Sequence, residues 1–396
     1  MKKLNLIWTM ILLVMAGCGG GNKQSTDAFL TVDVTANYPK KELILQDFLD
    51  VEYIPLETND EFITSANIQS IGKEIMIFRN MNRGANDIFI FDRNGKGLRK
   101  INRFGQSGEE YTNVLGITLD EENGEMFVNN HYPGKVLVYD LFGDFKRSFK
   151  QRKDFFYDQI GNFDRNHLIC HDGYVEYEKK DTKRNFFLIV SKQDGSIKEI
   201  SIPYKEKKSP LIVLRNANGK IVNDRSIFNR ELIPFQDSWI LAELSADTIY
   251  RYSQDRKLTP FIVRTPSAQT MTPEVFLFPG VLTDRYYFMQ VVKKEYDFKA
   301  DNGFPRTDLV YDRQEKAIFE CTVYNEDFAN KPMSLVYEIP MFTMISKNEI
   351  AFMKRLEAYE LVEAYGKGLL KGKLKEIAAT LNEDSNAVIM LAKYKK

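Results

Sequence analysis

The chain has 396 residues, 43% hydrophobic and 28% charged, with 55 basic side chains against 55 acidic ones. That balance removes the electrostatic case for a nucleic-acid partner, which needs a basic surface to displace counterions. Three cysteines cannot staple a fold of this size, so a hydrophobic core must hold it, and 28 phenylalanines with 20 tyrosines can fill a large one.

Lys2 and Lys3 open the chain, and Leu4 to Val14 is apolar except for Asn5 and Thr9. A membrane-spanning helix needs roughly 20 apolar residues, so this segment has the layout of a secretory signal over residues 1–17. Met15-Ala16-Gly17-Cys18 resembles the lipobox of bacterial lipoproteins. The resemblance implies that Cys18 is acylated, becomes the new amino terminus and ties the protein to a membrane. An ordinary signal peptide with a chance cysteine is the alternative. Residues 18–28 are small and polar, which suits a lipidated cysteine followed by a flexible tether. The expected location is the cell envelope, lipid-anchored to the outer membrane. Surface-export signals of related lipoproteins are acidic near the lipidated cysteine, whereas the first acid here is Asp27, so the periplasmic side is favoured.

From residue 74 onward a pattern recurs: an apolar strand, then a second one ending in a polar residue and a turn. Ile88-Phe89-Ile90-Phe91-Asp92 leads into Arg93-Asn94-Gly95, and Val136-Leu137-Val138-Tyr139-Asp140 repeats it. Weaker copies end at Ser191, Ser253 and Asp312, and Ala387 to Leu391 is a sixth. A repeat of roughly 50 to 60 residues holds about four short strands, the content of a propeller blade. Six blades packed in a ring bury faces that one blade leaves open, while a β-sandwich is the competing use of such strands. Between Arg355 and Leu381 the apolar residues Leu356, Tyr359, Val362, Leu370, Leu374, Ile377 and Leu381 recur at helical spacing, with Gly366, Gly368 and Gly372 weakening or dividing the helix. That segment reads as a helical insertion in the last blade, about 355–381. Either Phe29 to Val34 or Val51 to Leu56 supplies the strand that closes the ring.

The connector Ile101 to Tyr111, the strand Ile117-Thr118-Leu119-Asp120, the glycine-led Gly124-Glu125-Met126-Phe127-Val128 and the Tyr139-Asp140 ending resemble an NHL-type repeat. Together with the lipobox, Tyr53-Ile54-Pro55-Leu56-Glu57-Thr58 and Ser385-Asn386-Ala387-Val388-Ile389-Met390, they are similar to the six-bladed β-propeller lipoproteins of Bacteroidota. Ala387 departs from that family, which often has proline there. The resemblance implies an all-β, six-bladed β-propeller over residues 29–396.

In such a ring the turns from second to third strands, and the connectors between blades, open on one face around the channel, where ligands are expected. Those segments carry Arg79, Asn80 and Arg83, then Asn129 to Tyr132, then His171, Asp172 and Tyr174, and further on Glu243 and Asp247. Arg83, Arg103, His131, Tyr132, His171 and Asp172 are the leading candidates for binding a polar ligand, a glycan or a peptide, with a plain solvated rim as the alternative. His167 and His171 on one strand stand roughly 13 Å apart, too far to share a zinc ion. His131 and His171 could meet across the channel, joined by Asp172, but structural histidines are the plainer reading, so no metal, cofactor or catalytic residue is assigned. Cys170 and Cys321 read as buried free thiols, a single bridge being the alternative.

These features lead to the expectation of a non-catalytic envelope propeller that binds a polar ligand or an envelope protein partner. The competing reading is an NHL-like propeller enzyme, a metal-assisted lyase or lactone-type hydrolase, and its mark would be three convergent metal ligands in the channel. A purely structural envelope component is a third possibility.

Overall fold

The computed structural model describes residues 29–80, 86–153, 155–173, 184–329, 331–336, 344–345 and 349–395. The leader, Cys18, the tether, Arg83 and Tyr174 lie outside these residues.

The fold is a six-bladed β-propeller. Blade 1 comprises Asn67–Ile71, Ile75–Arg79, Ile88–Asp92 and Gly97–Ile101, paired antiparallel in sequence order from the axis outward. Blade 2 repeats this with Val114–Asp120, Glu125–Asn130, Lys135–Asp140 and Phe145–Lys150, and blade 3 with Tyr157–Asn162, His167–Asp172, Phe187–Ser191 and Ile197–Ile200. Blade 4 is built from Leu232–Phe235, Ser238–Leu241, Thr248–Ser253 and Leu258–Thr265; blade 5 from Val275–Leu282, Tyr286–Lys293, Arg306–Asp312 and Ala317–Tyr324. In blade 6, Ile350–Leu356 pairs with Val388–Tyr394, which pairs with Leu49–Pro55.

Burial explains why the third strands gave the clearest sequence signal. Ile88 to Phe91 and Val136 to Tyr139 are fully buried because each blade is covered on both faces by its neighbours, so their side chains are apolar on both sides. The outermost strands Gly97–Ile101 and Phe145–Lys150 instead alternate between covered and exposed positions. Large rings fill the seams between blades. Gly161 of blade 3 lies so close to the buried Trp239 of blade 4 that an added Cβ would meet the indole at 2.2 Å. Near the axis, first strands of adjacent blades exchange hydrogen bonds: the Ser70 hydroxyl donates to the Ile117 carbonyl, and the Thr118 hydroxyl to that of Ile160.

Leu49–Pro55, not Phe29 to Val34, closes the ring, in a seven-residue antiparallel register with Val388–Tyr394. The preceding chain goes to the two blades before it. Leu30–Asp33 runs parallel to the outer strand of blade 4, and Lys40–Ile44 parallel to that of blade 5. The N-terminal segment therefore covers the exposed backbone edges of three successive blades, edges that would otherwise invite pairing with other chains.

The insertion in blade 6 is two short helices, Ala358–Gly366 and Gly372–Ala378, parted where Gly368 and Gly372 adopt positive φ. Leu361 and Leu374 are fully buried and join the apolar cluster that includes Phe276, Phe352 and Val388. A hairpin that sequence reasoning missed, Leu211–Arg215 with Ile221–Ser226, separates blades 3 and 4 and accounts for the stretched repeat there. Cys170 and Cys321 are buried in different blades and are not bonded to each other.

Candidate functional site

Each of the first three blades has a bulge near the start of its first strand. Gln69, Leu115 and Asp158 fall between cross-strand pairs and have no partner of their own in the ladder. A bulge breaks strict alternation and re-aims the side chain it carries. In blade 3 the residue at the bulge is an acid.

Beside it stands His171, paired in register with Gln159. Its Nδ1 lies 2.8 Å from Asp158 Oδ1 and 4.0 Å from Glu231 Oε2. Glu231 belongs to the next blade, immediately before the strand Leu232–Phe235. Gln159 joins the two blades: its Nε2 donates to Glu231 Oε2 over 2.5 Å, while its Oε1 accepts from the Leu232 backbone N–H over 3.1 Å. One ligating atom each from Asp158, His171 and Glu231 lies within 4.8 Å of the others, the one such His, Cys, Asp and Glu group among the described residues. Asp158 is 8% exposed and His171 7%.

The electrostatics follow from two carboxylates and an imidazole sharing a largely buried place. Burial works against a charged imidazole, but the Asp158 charge and hydrogen bond, with Glu231 and Glu243 beyond, hold the His171 pKa up at about 9. Burial raises Glu231 above the usual carboxylate range, against the pull of His171. Further along blade 4, Glu243 accepts from the Ser245 backbone N–H over 3.0 Å and faces Lys207 Nζ at 3.4 Å. The Lys207 ammonium sits 3.2 Å above the Phe186 ring, and burial lowers its pKa.

Of the residues singled out from sequence, His171 is the one inside this cluster. Asp172 follows it on the strand and does a different job: Oδ1 accepts from the Phe156 N–H at 2.8 Å and Oδ2 pairs with Arg184 at 2.5 Å. Asn130 does the same in blade 2, accepting from the backbone of Thr112 and Asn113, and Asn80 in blade 1, accepting from Ser65. Asp172 is the repeat's corner residue, holding the incoming connector. Arg103 lies at the outer perimeter, donating to the Gly143 carbonyl at 2.9 Å and pairing with Asp144 at 3.1 Å in the outer turn of blade 2. His131 and Tyr132, in the turn between the second and third strands of blade 2, form an aromatic platform against Phe156 of the connector that leads to Asp158. The His131 ring lies 4.6 Å from Phe156 and 5.2 Å from Tyr132, which is 80% exposed. His131 packs at a tilt against Phe156, its pKa lowered by burial, and takes no part in the cluster with His171. His167, at the opposite end of its strand, pairs with Asp164.

Sequence reasoning missed Asp158, Gln159 and Glu231. The available signal was an acid at the head of two successive first strands, in Tyr157-Asp158-Gln159 and Glu231-Leu232, where an apolar residue facing neighbouring blades is expected.

The backbone has a relative among solved structures, a Bacteroides fragilis protein described as a "Putative exported protein", at TM-score 0.58 and 14% identity over 90% of this chain and 99% of that one. A member of the DUF4221 family from Bacteroides vulgatus overlaps at TM-score 0.47 and 9% identity, covering 88% of this chain and 99% of that one. A virginiamycin B lyase from Staphylococcus aureus overlaps at TM-score 0.37 and 12% identity, covering 88% and 100%, too loosely to bear on chemistry here. No curated protein matches the sequence. The family described as "Domain of unknown function (DUF4934)" matches residues 29–393, and the chain belongs to it.

Proposed function

We propose that this protein is a lipid-anchored envelope propeller that binds a polar ligand, a glycan or peptide, at the channel mouth between blades 2, 3 and 4. The observation that carries the reading is continuity: the exposed Tyr132 and the His131 ring meet Phe156, and two residues later the chain delivers Asp158 to His171 and Glu231. Aromatic faces next to acceptor-rich carboxylates suit the apolar faces and hydroxyl groups of a sugar, or the amide and ammonium groups of a peptide. Export rests on the leader of residues 1–17 that precedes Cys18, and the Bacteroides fragilis protein described as exported agrees with it. The NHL-like repeat and the outer-membrane, periplasm-facing anchor remain part of this reading. Among the described residues, no helix is long and apolar enough to cross a membrane.

A glycan and peptide array probed with the purified full chain tests the binding reading. The expected result is a small set of related hits that Tyr132→Ala and Glu231→Gln both weaken. Hits unaffected by either substitution would move the site off this face. Globomycin treatment, which blocks lipoprotein processing, should leave the leader attached; normal processing would overturn the anchor.

A catalytic second reading is favoured by one observation, the convergence of three side chains able to ligate a metal in the channel. Its first requirement is a bound cation.

A further inference from the structure

Asp158, His171 and Glu231 use few of their hydrogen-bonding valences on the protein. Asp158 accepts from His171 through Oδ1, and Glu231 accepts from Gln159 through Oε2. Asp158 Oδ2, Glu231 Oε1 and His171 Nε2 have no hydrogen-bond partner among the described residues. Asp158 is buried and Glu231 half-buried, and carboxylates so placed ordinarily accept several bonds, so two that accept one each from the protein leave valences open to a further partner. Gly173 keeps the backbone close against the unpartnered oxygen, since a Cβ there would meet Asp158 Oδ2 at 2.3 Å.

We propose that Asp158, His171 and Glu231 bind one divalent first-row transition cation, of the class of Zn²⁺ or Mn²⁺, at the mouth of the channel. The inference deepens the binding reading above and rests on its placement of the site. An imidazole nitrogen with two carboxylates suits these ions, whereas Ca²⁺ and Mg²⁺ prefer all-oxygen shells. Ligands of one ion at bonds of roughly 2.0 to 2.2 Å stand about 3 Å apart. His171 Nδ1 lies 2.8 Å from Asp158 Oδ1 and 4.0 Å from Glu231 Oε2, so a small shift that turns the open Oε1 of Glu231 toward them, with Oε2 still held by Gln159, closes the set. On binding, the Nδ1 proton leaves to solvent and its lone pair goes to the metal. Gln159 then acts as a positioning residue, because it fixes Glu231 from blade 3 and is itself anchored by the Leu232 N–H.

The test is calorimetric titration of the EDTA-treated, dialysed full chain in detergent with ZnCl₂ and with MnCl₂. One equivalent per chain is expected, with loss of measurable heat in Asp158→Asn and Glu231→Gln and about 10- to 100-fold weaker binding in Gln159→Ala. X-ray absorption of the Zn-loaded wild type should give a first shell of one nitrogen with oxygens, a readout that survives if a variant fails to fold. No heat with either metal, an all-oxygen shell, or undiminished binding in folded Asp158→Asn would overturn the site. So would binding of methylamine in place of metal, which would make the occupant an ammonium group. Array hits that persist in EDTA, with no metal heat, would overturn the cation site and leave the binding reading standing. Metal uptake with an empty array would sustain the cation site while the binding reading fails.

Discussion

Blades 2 and 3 place the end of the second strand at the same point of the ring and furnish it in opposite ways. In blade 2, Asn129 donates to the Tyr157 carbonyl and accepts from Gln151, while Asn130 collects the backbone of Thr112 and Asn113. Both ends of the Asn129 amide and the Asn130 carbonyl oxygen are taken up by other groups of the protein, so the corner is a structural joint. In blade 3, Asp172 keeps the joint, but His171 stands where Asn129 does and turns to two acids with spare valences. The repeat thus supplies a rigid corner several times over and opens one copy for chemistry. A substitution at equivalent positions should therefore act on stability in one blade and on binding in the other.

The largest expected effect breaks the seam that brings blade 4 to blade 3. Trp239 is buried against Gly161, two residues along the strand from Gln159, the register partner of His171. Trp239→Ala should cost about 4 kcal/mol, read as a lowered denaturation midpoint, and should remove cation uptake with it. A full-strength cation site in that variant would mean that Glu231 is not held by this seam.

Next in size is a blade 2 charge that is satisfied rather than waiting. Glu125 receives both Arg147 nitrogens, at 2.7 and 2.8 Å, and Lys146 at 2.5 Å. The Arg147 bonds lead in holding its pKa down at about 2, against an ordinary value of 4.5. A depressed carboxylate pKa means that the unfolded chain binds the proton more tightly, so this contribution is full above pH 4.5 and fades as pH falls toward 2. Glu125→Gln should cost about 2 kcal/mol at neutral pH, with the difference from wild type shrinking through that window. A difference that stays constant from pH 7 to pH 2.5 would show that packing rather than charge does the work.

This contrast also explains what could be read from the sequence. Ile88 to Asp92 and Val136 to Asp140 announce a blade because third strands are covered on both faces and must be apolar throughout. The helices between Ala358 and Ala378 announce themselves by period. The assignment of three N-terminal strands to three blades was not legible, since parallel pairing at an outer edge leaves no local pattern in Leu30–Asp33 or Lys40–Ile44. Nor was the site. His171 was visible as a polar residue at a strand end, but Asp158 depends on a bulge that shifts register by one, and Glu231 on a neighbouring blade some 60 residues on. Asp172 and Arg103 looked equally suited, and only their partners, Phe156 with Arg184 and Gly143 with Asp144, reveal that both serve the scaffold.

A smaller effect sharpens that point. Asp172→Asn keeps an acceptor for the Phe156 N–H, as Asn130 does in blade 2, and loses the charge opposite Arg184. A cost of about 1 kcal/mol with unchanged cation affinity is expected. A loss of affinity at full stability would return Asp172 to the site.

The smallest effect on stability should come with a clear effect on binding. Tyr132 is 80% exposed and packs its ring at a tilt against His131, so removing its ring uncovers little that the fold had buried. Tyr132→Ala should leave the denaturation midpoint within about 0.5 kcal/mol of wild type. Its ring is nonetheless the exposed end of a run of rings through His131 to Phe156, two residues before Asp158, and in the binding reading proposed above a ligand at the mouth would contact it. Array hits should weaken about 10-fold, the effect of losing one well-placed aromatic contact worth roughly 1.4 kcal/mol, while metal titration stays unchanged because no ligating atom has been touched. Undiminished array binding in this variant would confine recognition to the charged cluster and leave the aromatic platform as a piece of solvated rim.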